Sequence, residues 1–527
     1  MNMKQAGLSM AMTLLGLLVL GACAGPQTSF YQNNDDKTHE DMRVKLPRDE
    51  VSSVLASGFY NISERALSVT DVRALGLEGL RGLATIDPEI GVIENNATIE
   101  VTYSDKLVKK VVEPMAHDSE SWSDVVYEVL TALWPYSPDL AATNAERIYE
   151  AVFDAALANL DIFSRYAGKL EAESHRDRRE GYGGVDLTLS KIDERIFVKR
   201  VGLDGPAYQG GVRKGDMLIS VDGEAVIGKK LHDIYEMMRG KIQTEMVVEV
   251  ERLKTGVTQK LFLWRELVIP QTVWTSYDDG ILSVRISSFN ERTASHLSQD
   301  MQEIALLHGQ RFKGVILDLR GNPGGLLKKA VQVADLFLAG GRIISTSGRH
   351  PDSVEVYEAD PIDVVQGRPV VILLDGKSAS ASEIVAAALQ DRGRAVVVGS
   401  SSFGKGTVQS VQHLPNDGEL TVTWSRLIAP SGYAFHGLGV RPSVCTSGVK
   451  GLGVHGAALS EGDGKDLMRN WRSVAIEDRS GRKNLRQTCP PDRTKRGIDR
   501  EVARNIILDR SLYKRFMGFT TIATVAQ

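Results

Sequence analysis

Two short segments of this chain hold a nucleophile and a base of matching kinds. Gly376-Lys-Ser-Ala-Ser-Ala-Ser-Glu-Ile384 joins an apolar, strand-like run ending at Leu374 to a helix-like run from Ala381 to Asp391. Ser380-Ala-Ser-Glu383 reads as a capping box, Ser380 at the N-cap and Glu383 at the third helical position. A hydroxyl there is also well placed to attack, because backbone N–H groups and the helix dipole can stabilise an oxyanion. Such a serine needs a base. None of the ten histidines falls in a familiar triad motif, and the cluster is not G-x-S-x-G. Lys405, in Gly399-Ser-Ser-Ser-Phe-Gly-Lys-Gly-Thr-Val-Gln409, can serve if its pKa falls from ~10.4 to roughly 7–8, which takes desolvation or nearby positive charge. Phe403 can exclude water, and Gly404 and Gly406 let the backbone approach closely. A third segment, Asp318-Leu-Arg-Gly-Asn-Pro-Gly-Gly-Leu326, is a glycine-rich turn that can aim N–H groups into a site.

The lysine segment also matches G-x-x-x-x-G-K, the pattern of a phosphate loop. Gly406 stands where that loop needs a magnesium-binding hydroxyl, and the run from Thr407 is β-branched and does not start a helix. The phosphate reading fails on both counts.

Length alone suggests about three to four domains for 527 residues. With 42% hydrophobic and 25% charged residues and a formal net charge of −4, the composition is globular and offers no basic surface for nucleic acid. Met1-Asn-Met-Lys4 and the uncharged run Leu8 to Leu20 read as a signal peptide over 1–22, too short to span a membrane. Leu20-Gly-Ala-Cys23 resembles a bacterial lipobox, which implies lipidation of Cys23 and a periplasm-facing position in the cell envelope, anchored to the outer membrane. Residues 23–47 follow as a polar tether. Cys445 and Cys489 then remain as an even pair in an oxidising compartment, bonded or free. Residues 48–170 read mainly as helices, with a hairpin near Ala97 to Lys106. Residues 171–266 read as short strands with one clear helix, Leu231 to Arg239. Residues 267–445 alternate strand and helix, which argues for parallel strand pairs. Residues 446–527 form a polar, then helical extension without recognisable chemistry. The whole is a multidomain α/β chain.

Ser378-Ala-Ser-Ala-Ser-Glu-Ile384, Phe403-Gly-Lys-Gly-Thr-Val-Gln409 and Asp318-Leu-Arg-Gly-Asn-Pro-Gly-Gly325, in their order, resemble the signature of the C-terminal processing, or tail-specific, proteases. Leu160-Asp-Ile-Phe-Ser-Arg-Tyr166 resembles a further family segment, with Ile162 in place of a proline, and the likeness covers roughly residues 150 to 443. It implies an α/β protease core, a mixed sheet with flanking helices over 267–445, with a PDZ domain inserted over 171–266 behind the helical N-terminal region. It also implies a Ser/Lys dyad, Ser380 as nucleophile and Lys405 as base, with Gln409 orienting the lysine. The backbone N–H of Ala381 and of a glycine between 321 and 325, by preference Gly324, would form the oxyanion hole. Glu383 and Asp391 would support the helix. Tyr182, Gly183, Gly184 and Val185 take the place of the PDZ carboxylate-binding loop. The implied activity is a serine endopeptidase that needs no metal or organic cofactor. Its partners would be proteins with free, apolar C-termini, with a homo-oligomer or an adaptor protein left open. The competing reading is a PDZ scaffold whose protease core does not cleave.

Overall fold

The computed structural model describes residues 42, 45–202, 205–448, 461–494 and 497–518. The signal peptide, Cys23 and most of the tether lie outside the described residues. At the tether's end Met42 and Leu46 are buried, and the Tyr127 hydroxyl donates to the Leu46 carbonyl. The N-terminal unit therefore begins before residue 48. In it the helices Arg48–Arg65, Val72–Gly82, Ser119–Leu133 and Ala145–Leu157 pack around Phe59, Trp122 and Phe153. The last three each start on a side chain, Asp71, Asp118 or Asn144, that accepts a first-turn backbone N–H. The expected hairpin is part of a three-stranded antiparallel sheet, Ile90–Asn95, Thr98–Tyr103 and Lys106–Val112.

A boundary at 170/171 falls inside a helix, Lys169–Glu180. That helix is fastened to the α/β core unit, because Arg176 and Arg179 both donate to the buried Glu419 carboxylate. The unit that follows is an antiparallel sheet in the order Val257–Trp264, Glu245–Arg252, Met217–Val221, Arg195–Val201 and Leu187–Ile192. Leu187–Ile192 is an edge strand, and the helix Leu231–Met238 lies beside it.

The core sheet runs Val273–Asp278, Ile281–Ile286, Gly314–Asp318, Val370–Leu374, Val396–Gly399 and Val444–Cys445, parallel from the second strand onward. Val370-Val-Ile-Leu-Leu374 has no polar face, and a strand of that kind needs a layer on each side. Val370, Ile372 and Leu374 face the helices Thr293–His308, Leu327–Asp335 and Ala381–Asp391. Val371 and Leu373 face Val502, Ala503, Ile506 and Phe516. Residues 446–527 are thus no appendage: their helices Gly497–Leu508 and Arg510–Met517 complete the core. A second sheet, Val356–Ala359, Gly341–Gly348, Glu419–Ile428 and Thr407–His413, carries the lysine loop. Cys445 is bonded to Cys489, with Cα atoms 5.9 Å apart, and the closed loop contains the helices Glu461–Ser473 and Arg479–Gln487.

Candidate active site

Three serines crowd the head of the helix Ala381–Asp391, and packing distinguishes them. Ser378 is buried and its hydroxyl donates to the Leu319 carbonyl. Ser382 is buried and donates to the Asn322 carbonyl. Ser380 alone is partly exposed, and its hydroxyl makes no cap hydrogen bond. The expected capping box forms: the Ser380 side chain faces the Glu383 N–H without the geometry of a full cap hydrogen bond, and the Ser380 N–H donates to Glu383 Oε2 at 2.8 Å. Ser380 also stands at φ 54°, ψ −114°, a conformation that costs a non-glycine residue of order 1–3 kcal/mol and that the surrounding structure must enforce. Asp375 supplies part of that enforcement, since its Oδ1 accepts the N–H groups of Gly321, Lys377 and Ser378 and so ties the glycine turn to the serine segment.

Glu383 joins the two candidate residues. Its side chain is fully buried, yet one oxygen accepts from the backbone N–H of Ser380 and of Lys405, both at 2.8 Å, and the other from Gly404 N–H at 2.7 Å and from the Ser402 hydroxyl. Burial holds its carboxyl above the ordinary value, against the pull of those four donors. Lys405 is itself largely desolvated. Burial, then the Arg165 charge, hold its amine below the usual lysine value, with Asp161 and Glu383 opposing. Nζ sits 4.8 Å from the centre of the Phe163 ring. Phe403, the residue expected to shield it, is 40% exposed. The shield is Phe163, held by Asp161, whose carboxylate accepts the Phe163 and Ser164 N–H groups. Among the described residues no hydrogen bond yet links Lys405 to Ser380. Lys405, Phe163, Phe403, Ala379 and Pro323 line a common cleft of about 450 Å³.

The glycine turn corrects one expectation. The Gly324 N–H donates to Asn322 Oδ1 at 2.8 Å, so it is spent within the turn rather than aimed at the site. Asn322 fits its own side chain to the backbone two residues on, the usual behaviour of asparagine in turns. Gly324 has a different task. At φ 112° a Cβ there would lie 2.9 Å from Ser380 Cβ and 3.2 Å from Ala381 N, so only glycine lets the turn close against Ser380. The Phe289 bridge uses the Gly324 carbonyl and the Leu326 N–H, leaving the Gly325 N–H and the helix-first Ala381 N–H without protein partners among the described residues.

Gln409 lies beyond a register shift in its strand, and its amide donates to the hydroxyls of Thr407 and Thr423, not to Lys405. Thr423 in turn donates to Asp161, so Gln409 is linked to the segment carrying Phe163 and, through Thr407, to the strand that leaves the lysine loop. Asp391 accepts Ser431 N–H and pairs with Arg472, in keeping with a supporting role for the helix.

Of Tyr182, Gly183, Gly184 and Val185, only Tyr182 lines the groove of about 430 Å³ beside the edge strand, and the four do not form an open loop. Residues 182–184 pair as a strand with Glu266–Val268, and Val185 is buried. A Cβ on Gly183 would meet the Gly240 carbonyl oxygen at 2.0 Å, so this glycine is there for close packing. The groove lies between the edge strand and the helix Leu231–Met238, and Tyr235 from that helix accepts the Leu189 N–H on its hydroxyl at 2.7 Å. A peptide adding to this edge must displace it. Tyr235→Phe is expected to tighten binding of an apolar-ended peptide roughly two- to tenfold, as read by fluorescence anisotropy; unchanged affinity would place the peptide elsewhere.

A hydroxyl at a helix head, a desolvated amine on the loop beyond the following strand and a separate sheet with an open edge are parts that a serine-type peptidase with a peptide-binding module needs. The sequence agrees: it matches Peptidase family S41 over residues 280–445 and a PDZ domain over 197–252. It is 34% identical over 301 residues to a carboxy-terminal-processing protease of Bartonella bacilliformis, covering 57% of this chain and 69% of that one. It is 29% identical over 305 residues to the carboxy-terminal processing protease CtpA of Bacillus subtilis, covering 57% and 64%. The solved photosystem II D1 C-terminal processing protease aligns at 25% identity over 71% of this chain and 92% of that one, with a TM-score of 0.35. The chain belongs to the carboxy-terminal processing protease family.

Proposed function

We propose that this protein cuts other proteins near their C-termini, with Ser380 as nucleophile and Lys405 as general base. The observation that carries the proposal is the partly exposed hydroxyl of Ser380 at the helix head, tied through Glu383 to the backbone of a desolvated lysine. Lys405 leaves the face of Phe163 and takes the proton from Ser380 Oγ as that oxygen attacks the carbonyl carbon. The oxyanion is received by the Ala381 N–H, with Gly325, whose N–H is not spent on Asn322 as that of Gly324 is, as the second donor. The protonated lysine returns its proton to the leaving amine, and the C-terminal fragment departs. A water, deprotonated by Lys405, then cleaves the acyl ester and restores Ser380. The PDZ groove holds the substrate's apolar end as an added strand along Leu187–Ile192. Lipid on Cys23 would keep the enzyme at the periplasmic face of the envelope.

The test uses the chain from residue 24 onward and an unstructured protein with an apolar C-terminus. Wild type is expected to shorten it and Ser380→Ala to leave it intact, a loss of roughly 10⁶-fold when a nucleophile is removed. Equal fates for the substrate would leave only a scaffold.

A further inference from the structure

The basic residues of the C-terminal segment are gathered in one place. A cleft of about 860 Å³ lies between the helix Arg479–Gln487 and the end of the second sheet, lined by Arg426, Arg479, Arg482, Lys483 and Arg486 against a single acidic residue, Glu477. None of the five cations makes an ion pair among the described residues. Arg482 spends its donors on the carbonyls of Ala434 and His436, and Arg486 on those of Leu438 and Ser402, so both are held by carbonyls rather than by a carboxylate in contact. Burial holds both guanidiniums below the ordinary arginine value. Arg426, Arg479 and Lys483 are exposed around them.

This cleft adjoins the lysine loop. Its wall residue Gly437 donates to the Gly404 carbonyl at 2.8 Å, and His436 packs edge-on against Phe163, the ring beneath the Lys405 amine. Pro490 and Pro491 line the basic cleft, and Arg493, two residues on, lines the catalytic one together with Lys377. The segment between them is pinned by the Asp492 carbonyl, which accepts from Gly376 N–H at 2.6 Å and from the Ser400 hydroxyl at 3.2 Å, and by the Cys445–Cys489 bond. Positive side chains therefore line both the cleft that holds Lys405 and the concave site adjoining it.

We propose that this cleft is a second substrate-binding surface, which holds an acidic stretch of the polypeptide being cleaved. The proposal rests on the peptidase reading and adds a substrate class to it: chains carrying aspartate or glutamate near the cut as well as an apolar end. A polypeptide strand can reach the recessed Arg482 and Arg486, which a flat anionic membrane surface cannot.

The test uses Ser380→Ala protein, so that binding is read without cleavage. Two labelled peptides share one apolar C-terminus; one carries four Asp and Glu residues upstream, the other Asn and Gln at the same places. By fluorescence anisotropy the acidic peptide is expected to bind roughly tenfold more tightly at low salt, with the difference shrinking as sodium chloride is added. Arg479→Gln with Lys483→Gln is expected to abolish the difference between the two peptides. Equal affinities in the parent protein, or a preference that survives the double substitution, would overturn the proposal. So would vesicles of anionic phospholipid binding through Arg479 and Lys483 while the peptides show no difference. If cleavage by wild type were absent, the peptidase reading would fall, while the anisotropy result would still report on the cleft.

Discussion

Exchanging Lys405 for methionine is expected to lower kcat/KM on a peptide substrate by roughly 10³-fold or more, and at neutral pH to raise the melting temperature. The two effects have one cause. Burial and the Arg165 charge hold the amine below its usual value in the fold, whereas the unfolded chain leaves it near ~10.4. Between those values the unfolded chain binds more protons than the native one, so wild-type stability rises with pH across the window. Below the folded value the whole penalty of burying the charge is present. Methionine fills a similar space with nothing to protonate, so its advantage is greatest at low pH and fades as pH nears the lysine's ordinary value. Wild-type kcat/KM moves in the same direction, climbing along a limb with its midpoint below 10.5 and levelling above it, because only the neutral amine can take the Ser380 proton. Melting curves and a pH–rate profile check both. A profile without that limb, or a methionine variant that still cleaves well, would remove Lys405 from the base's role.

The lysine loop also illustrates what local sequence can and cannot carry. The β-branched run after Gly406 becomes the strand Thr407–His413, and a Cβ on Gly406 would lie 2.3 Å from the His436 N. Both were legible, because each follows from residue type at its own position. The aromatic shield was not, since Phe163 arrives from far upstream through the Asp161 turn and the pairing of Arg165–Ala167 with the second sheet. Nothing near Phe403 announces that another ring has taken its place. The preference for Gly324 as an oxyanion donor meets a readable obstacle: Asn322 in Gly-Asn-Pro advertises a side-chain-to-backbone turn, and that turn consumes the Gly324 N–H. The C-terminal extension was hidden by its polar composition. The signal for it lay instead in Val370 to Leu374, where apolar side chains on both faces demand a second covering layer. The buried Arg320, held by Asp318 and by Asp499 of that extension, shows the same dependence of the site on residues beyond the motif.

Glu383→Gln is expected to cost roughly 100-fold in kcat with a smaller change in KM, because the carboxylate holds the backbone on both sides of the reaction rather than touching substrate. Its two oxygens receive four donors, and glutamine offers one acceptor and an amide that itself donates. Whichever way the amide turns, two donors lose their acceptor: either Ser380 and Lys405, or Gly404 and Ser402. Glu383→Ala removes the acceptor for all four and is expected to cost about 3–5 kcal/mol of stability, on the scale of breaking a buried charge network. Loss of activity alone would not separate positioning from general damage, but the pH profile does. The Glu383 charge raises the Lys405 pKa, so removing it should move the acid limb of kcat/KM to lower pH even as the plateau falls. A glutamine variant with a lower plateau and an unmoved limb would mean that Glu383 is already protonated in the native protein. The carboxyl would then act as a hydrogen-bonding scaffold with no electrostatic hold on the base.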